Sequence, residues 1–242
     1  MKRTAPAARG PLERLARNAL RESGSSMRRL EHACAAAVAA AAEAAIACLE
    51  NGGTLYFCGN GGSAADAQHF ACELSGRFFF DRPPLPAISL TTNTSSLTAI
   101  GNDYGYDDVF ARQLEGLGSR GDMLVAISTS GASRSVTRAI ASAKRLGMQV
   151  IGMTGAKGAD FAAACDYALI TPSFVTPRIQ EGHLAMGHAL CELIERALFE
   201  PPPTRATRAT RAARAPRAKP APSRPATPAR RPAARTKRGT RR

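Results

Sequence analysis

Five short apolar runs rich in strand-forming residues alternate along this chain with longer segments of helical periodicity. Each run is apolar throughout rather than alternating, which is typical of parallel strands that are buried on both faces. Alternation of strands and helices predicts a parallel sheet with helices on both sides, so we expect an α/β fold, a three-layer α/β/α sandwich. The predicted strands are 54–58, 87–91, 123–128, 149–153 and 167–171, and the predicted helices between them are 62–77, 107–117, 133–146 and 178–199.

An alanine-rich segment over 26–50 precedes the first strand and has strong helix propensity. The Asn-Gly-Gly sequence after it is a helix C-cap signal, whereas the basic stretch before it is less regular. The length of 242 residues allows one sizeable core but hardly two. We therefore predict a basic N-terminal extension over 1–25, one domain over 26–200 and a tail over 201–242.

The positive charge of the chain is concentrated at its C-terminal end. Residues 201–242 hold 14 of the 33 Lys and Arg residues and no Asp or Glu, so the first 200 residues are formally neutral. Nine of the 16 prolines also lie there, between repeated Ala, Arg and Thr. Such a composition cannot bury a core, which predicts a disordered basic tail. Scattered cations without aromatic residues suit contact with nucleic-acid phosphates, and equally with acidic proteins or anionic lipid.

The remaining composition bears on the compartment. We expect no membrane span, because no continuous apolar run reaches about 18 residues, and the N-terminus lacks a continuous apolar signal core. There is no C-x-x-C pair, so buried reduced thiols are favoured over a disulfide framework. These features predict a cytoplasmic protein. The six cysteines are Cys34, Cys48, Cys58, Cys72, Cys165 and Cys191.

Two polar segments, 60–73 and 178–188, contain three of the four histidines. The first begins as a Gly-rich turn after a strand and continues into a helix. On that helix His69 and Glu73 stand four residues apart and face the same way. An imidazole and a carboxylate so placed suit either a metal ion or a proton transfer.

Hydroxyl-rich and Gly-rich turns follow the first and third strands, over 59–63 and 128–133. In parallel sheets ligands bind at the carboxyl ends of the strands, and the N-terminus of the helix after 133 attracts an anion. The chain has neither a phosphate-loop lysine motif nor a dinucleotide motif. A small phosphorylated molecule therefore fits best, although the second turn is also compatible with a simple N-cap.

Together with segments 101–103 and 178–181, these motifs resemble the sugar isomerase (SIS) domain, and within it the phosphoheptose isomerase family. The resemblance covers about 25–200 and keeps the motifs in order. It implies an aldose–ketose isomerase that converts sedoheptulose 7-phosphate to D-glycero-D-manno-heptose 7-phosphate for the synthesis of lipopolysaccharide or surface-glycan heptose. It further implies zinc, and a homotetramer with active sites at subunit interfaces.

The resemblance also assigns residues to roles, with Glu73 and His188 as the catalytic acid/base pair. One departure is Pro177, where some members carry Asp. Isomerisation moves a proton between neighbouring carbons through a cis-enediol, which requires a base and an acid/base partner. The implied zinc ligands are His69, Glu73, Gln180 and His188. The implied substrate-binding residues are Asn60, Gly61, Gly62, Glu73, Asn102, Asp103, Ser128, Thr129, Ser130, Ser133 and Gln180.

The spacing of Gln180 and His188 leaves open how both reach one site. Eight residues in one helix mean about 12 Å of rise and roughly 80° of rotation. Either the helix begins at or after Gln180, or the long side chain bends, or a subunit interface completes the site, which we favour. His183 lies about 140° around the helix from His188 and is expected to be structural. Arg178 can cap the helix, pair with a carboxylate or approach the phosphate.

Two other functions stay open at this stage. One is a non-catalytic SIS-domain adaptor that binds the bacterial replication initiator. Some such relatives lack the second histidine, so the presence of His188 with Glu73 favours the enzyme. The other is a nucleic-acid-associated protein that acts through its basic tail.

Overall fold

A computed structural model describes residues 10–200 of the chain. Its five parallel strands form one sheet in the order β2-β1-β3-β4-β5. The predicted parallel sheet is confirmed, and each predicted strand is present with end shifts of no more than two residues. The strands are β1 (Leu55–Gly59), β2 (Ala87–Ser89), β3 (Met123–Ser128), β4 (Gln149–Gly155) and β5 (Tyr167–Thr171).

Seven α-helices and one short 3-10 helix connect or flank these strands within the described residues. Two of them, α3 and α6, were not predicted. The first has no buried residue and is rich in Ser and Thr, and the second has five residues, so neither shows an apolar helical stripe. The helices are α1 (Pro11–Glu50), α2 (Gly62–Ser75), α3 (Thr94–Asp103), the 3-10 helix Tyr106–Asp108, α4 (Ala111–Leu117), α5 (Arg134–Leu146), α6 (Ala159–Ala163) and α7 (Thr176–Phe199).

Alternate side chains of the central strands supply two separate cores. In β1, Leu55 and Phe57 join the core under α1, α2 and α7, whereas Tyr56 and Cys58 join the core under α3 to α6. This period of two is the geometry of a strand buried on both faces. The expected three-layer α/β/α sandwich is therefore confirmed.

The N-terminal helix is longer than predicted, because α1 begins at Pro11 rather than at residue 26. Pro11 lies in the first turn, where its missing N–H costs no intrahelical bond. One turn later, Arg17 pairs with Glu13 at 2.8 Å. Further along, the Ser23 hydroxyl donates to Glu181 of α7 at 2.8 Å. The local pair and this tertiary contact support the helix through a stretch whose leucines are exposed.

The same helix is the one described element that is long and apolar enough to cross a membrane, by length and composition. We expected no such run, because alanines raise the mean hydropathy without forming a conspicuous apolar block. A core helix of a soluble protein passes the same test. Here the buried face of α1, which includes Val38, Ala41 and Ala45, packs against α7 and β5. This packing accounts for the composition, so the helix is weak evidence for a span.

Residues 1–9 and 201–242 lie outside the described part of the chain. The predicted disorder of the basic tail falls there and stays a prediction. The predicted division at 25 and 200 also stays a prediction, although the α1 helix runs through the first of these positions.

Candidate active site

Three side chains from α2 and α7 converge at one point. His69, Glu73 and His188 each offer a ligand atom, and these atoms lie within 4.8 Å of one another. The two Nε2 atoms of the histidines are 2.7 Å apart, and His69 Nε2 is 3.6 Å from Glu73 Oε1. The first two residues share a face of α2 because they are four residues apart. The site is open to solvent, since the His69 side chain is 42% exposed and that of Glu73 22%.

Close packing of α2 on α7 brings the histidines together. Gly187 precedes His188, and a Cβ atom at Gly187 would collide with the Phe70 ring of α2. Its absence lets the Phe70 ring lie against the α7 backbone. The Phe70 and His188 rings are then 6.3 Å apart, edge to face, and Phe78 packs on the His188 ring at 5.8 Å. Aromatic contacts thus hold the His188 imidazole beside His69.

Gln180 lies against the Gly-rich turn after β1. A Cβ atom at Gly62 would collide with the Gln180 amide, so this glycine makes room for that side chain. The helix α7 begins at Thr176, which makes the first of our three alternatives, a helix that starts at or after Gln180, wrong. Gln180 is thereby placed with the predicted substrate-binding residues Gly61 and Gly62.

The turns after β1 and β3 are joined directly, because these strands are neighbours in the sheet. The Asn60 amide donates to the hydroxyls of Ser133, at 2.7 Å, and Ser135, at 2.9 Å. The side-chain Oδ1 of Asn60 accepts from the Tyr106 hydroxyl at 2.8 Å. Ser135 and Tyr106 were not predicted from the sequence, since neither belongs to a motif, although Ser135 continues the hydroxyl-rich run.

The hydroxyl-rich loop after β3 leads into the N-terminus of α5. It turns at Gly131, whose φ of 70° is in the left-handed region. The Ser130 hydroxyl accepts from the Ala132 amide at 3.1 Å, and the Thr129 carbonyl accepts from the Gly155 amide at 3.2 Å. Ser128 is buried and Ser130 is exposed. Exposed hydroxyls at a helix N-terminus form a cradle suited to a phosphate.

Asn102 and Asp103 end α3 and are both exposed. The Asn102 amide donates to the Asp103 carboxylate at 2.8 Å. Their own contacts do not tie them to His69, Glu73 or His188. The loop that follows carries Tyr106, which reaches Asn60, so this segment borders the Asn60 turn.

Three other residues of α7 lie outside the cluster of His69, Glu73 and His188. His183 is fully buried, and burial lowers its pKa to about 4, which keeps it neutral, as suits a structural residue. Arg178 pairs with Glu181 at 3.1 Å and donates to the Ala19 carbonyl of α1 at 3.1 Å. Pro177 lies in the first turn of α7, where proline favours helix initiation.

None of the described cysteines belongs to the cluster that His69, Glu73 and His188 form. All six are unpaired, but the predicted burial is wrong for Cys72, which is exposed, and for Cys165, which is half-buried. Burial, reinforced by the Glu73 charge, raises the pKa of Cys191 to about 12, so this thiol stays protonated. The carboxylate and the two imidazoles are the converging groups that can move a proton here.

The donor set of the triad fits a zinc ion. Two imidazole nitrogens and one carboxylate oxygen are borderline ligands that Zn²⁺ prefers, and a catalytic zinc site uses three protein ligands with an open position. The rings of Phe70 and Phe78 pack against His188 and shield it on one side. The residues present therefore suit the metal that the resemblance implies.

Known proteins are similar to this chain in both fold and sequence. The SIS domain family matches residues 20–155. A phosphoheptose isomerase from Rhodospirillum rubrum is 56% identical over 165 residues, which are 68% of this chain and 88% of the relative. The solved phosphoheptose isomerase of Neisseria gonorrhoeae is 44% identical with a TM-score of 0.72, over 76% of this chain and 98% of that one. The solved phosphoheptose isomerase of Francisella tularensis is 38% identical with a TM-score of 0.74, over 78% of this chain and 100% of that one.

The sheet order, the hydroxyl-rich loop and the convergent His-Glu-His triad define a SIS-domain sugar-phosphate enzyme. The similarity runs along most of the length of its relatives, well beyond the motifs. Within that class the chain belongs to the phosphoheptose isomerase family.

Proposed function

We propose that this chain interconverts sedoheptulose 7-phosphate and D-glycero-D-manno-heptose 7-phosphate, and so supplies heptose for surface-glycan synthesis. The family establishes it as a heptose-phosphate isomerase. The observation that carries the proposal is the convergence of His69, Glu73 and His188. Neither the site nor the relatives favour the replication-initiator adaptor. Turnover of the named ketose by the purified chain is the direct test.

The chain's own residues can perform the proton transfer. Glu73 is the proposed base that takes the proton from carbon, and His188 is the partner that serves the oxygens of the enediol. Gln180 and the turn Asn60–Gly62 are proposed to hold the sugar hydroxyls. The loop after β3 holds the phosphate, so that the non-reacting end of the sugar fixes the reacting carbons.

Zinc is the proposed cofactor. His69, Glu73 and His188 would hold it, with Gln180 as the fourth ligand that the resemblance implies. When bound, it would supply Lewis-acid polarisation of the sugar's carbonyl and hydroxyl oxygens. In this proposal Glu73 and His188 transfer the proton in addition to holding the metal, whereas His69 only holds the metal.

We predict that Ser130→Ala and Ser133→Ala each raise the KM for the phosphorylated sugar about tenfold and change kcat less than threefold. Each substitution removes a hydroxyl near a charged phosphate, and hydrogen bonds to charged groups contribute about 1.5–3 kcal/mol. Steady-state kinetics measure both constants. The matched control is Thr137→Ala, which removes an exposed hydroxyl further along α5. Unchanged KM in both serine variants would remove the loop from phosphate binding.

We also propose a homotetramer with active sites near subunit interfaces, in the cytoplasm. Leu12, Leu15 and Leu20 of α1 are 80%, 62% and 74% exposed. An apolar groove of about 560 Å³ lies further along α1, between α1 and α7, and is lined in part by Leu30 and Leu193. Large exposed apolar faces of this kind support burial against copies of the chain. The six unpaired cysteines support a reducing compartment, which cell fractionation tests.

The contributions of the tail and the domain can be distinguished with a shortened chain that ends at Glu200. We predict that it keeps a light-scattering mass of four subunits and full isomerase activity, because the first 200 residues are formally neutral and contain every motif. We further predict that the full chain binds duplex DNA with an affinity that falls steeply with salt, since a polycation binds by releasing counterions. Titration of labelled DNA at two salt concentrations measures this. Equal DNA binding by both proteins would place the nucleic-acid surface on the domain.

A further inference from the structure

A buried ion pair lies beneath the triad. The Arg82 guanidinium donates to the Glu195 carboxylate at 2.8 Å, and their side chains are 1% and 0% exposed. The same carboxylate accepts from the backbone amides of Phe78, at 2.8 Å, and Phe80, at 3.2 Å, and also from Phe79. Burial raises the pKa of Glu195, but these amides and Arg82 outweigh it, so the pKa lies below its usual value. A charged carboxylate thus organises the loop from Gly76 to Arg82.

Arg82 also caps the C-terminus of α2, the helix that carries Glu73. Its guanidinium donates to the carbonyls of Glu73, at 3.0 Å, and Leu74, at 2.8 Å, near the C-terminus of α2. The last carbonyls of a helix lack intrahelical partners, and a cation stabilises this end of the helix dipole. The backbone of the proposed base is therefore fixed by the ion pair.

The other end of the network reaches the proposed acid/base partner. Glu195 follows His188 by seven residues on α7, which places both on nearly the same face, two turns apart. The Phe78 amide is bound by Glu195, and the Phe78 ring packs on the His188 imidazole with centroids 5.8 Å apart. One buried carboxylate thus sets the position of the ring that rests on His188.

We propose that Arg82 and Glu195 are positioning residues for the isomerisation: through the Glu73 carbonyl and the Phe78 ring they fix the distance between the base and its partner. This inference rests on the proposed roles of Glu73 and His188. None of the sequence motifs contains either residue. A loss of alignment should slow the chemical step rather than weaken sugar binding, because the predicted phosphate and hydroxyl contacts lie on other elements.

A double-mutant cycle in the full chain tests this coupling. We expect Glu195→Gln to lower kcat about tenfold and Phe78→Leu about threefold, with KM within about twofold of the parent in both. The double variant should lose no more than Glu195→Gln alone, within about twofold, because both changes release the same ring. The control Glu115→Gln breaks an exposed ion pair with Arg145 and should leave kcat unchanged.

Several outcomes would overturn the inference. A Glu195→Gln protein with a lowered melting temperature but the parent kcat has lost only stability. Losses that multiply in the double variant mean that the two residues act independently. If Glu195→Gln does not fold, an unchanged kcat in Phe78→Leu is sufficient to reject the coupling. Glu73→Gln in the same assay distinguishes failure of the proposed mechanism from failure of the positioning role. Full turnover of Glu73→Gln rejects the proposed mechanism. An inactive Glu73→Gln together with an unimpaired Glu195→Gln rejects only the positioning role.

Discussion

Replacement of Glu73 by Gln is expected to lower kcat by about 10²–10⁴-fold while the protein still binds the sugar phosphate. Gln keeps the size of the side chain and one hydrogen-bond acceptor, but it cannot take a proton from carbon. Glu73 lies 3.6 Å from His69 at the solvent-open end of the site, so the substitution leaves the core unchanged. Single-turnover kinetics and a substrate-binding titration measure the two effects separately.

Glu115→Gln provides the matched control, because it makes the same chemical change at an exposed position on α4. Its turnover should equal that of the parent. A Glu73→Gln enzyme with near-parental kcat would exclude this carboxylate as the base. A variant that loses substrate binding and turnover together would instead indicate that Glu73 mainly holds the sugar or the metal.

Replacement of His69 by Ala is expected to weaken zinc binding by at least about 100-fold and to reduce turnover to the level of chelator-treated protein. Loss of an outer contact to a metal ligand already costs about 10–100-fold in affinity, and His69 is a proposed direct ligand. Metal analysis of the purified protein should find about one zinc per chain in the parent and almost none in the variant.

His32→Ala is the control for this experiment, because His32 is an exposed histidine of α1 outside the triad. It should retain the parental zinc content. Equal zinc in His69→Ala and the parent would disprove the ligand assignment. Full turnover of the zinc-free parent would show that proton transfer needs no metal, and would leave the roles of Glu73 and His188 intact.

The strands and most helices were predictable because each has its own local pattern of apolar residues in the sequence. The strands β3 and β5 appear as largely apolar runs with the predicted ends. The start of α1 was not predictable, because its leucines stay exposed instead of entering the core of the domain. Residues 11–25 are held by a local ion pair and by contacts to α7. The helix α3 was missed for a related reason: an Asn93 N-cap and exposed Ser and Thr residues resemble a loop.

The site was predictable only where its residues stand in motifs. The convergence of His69 and Glu73 follows from helical spacing, but their approach to His188 depends on the packing of α2 on α7. That packing uses Gly187 and Phe70, whose contact no local pattern indicates. The same holds for Tyr106, which reaches Asn60 across the fold. How Gln180 completes the metal site stays a prediction, since subunit contacts lie beyond a single chain.

Incubation of the purified chain with sedoheptulose 7-phosphate in D₂O tests the central claim most directly. Transfer through an enediol moves a proton from C1 of the ketose to C2 of the aldose. If the proton on the base exchanges with D₂O before it is returned, deuterium enters at C2 of the aldose. Proton NMR should show D-glycero-D-manno-heptose 7-phosphate accumulating with deuterium at C2, and Glu73→Gln should abolish both signals. No aldose above the level of the Glu73→Gln protein, from a folded and zinc-loaded chain, would contradict the assignment of the chain as a sedoheptulose 7-phosphate isomerase.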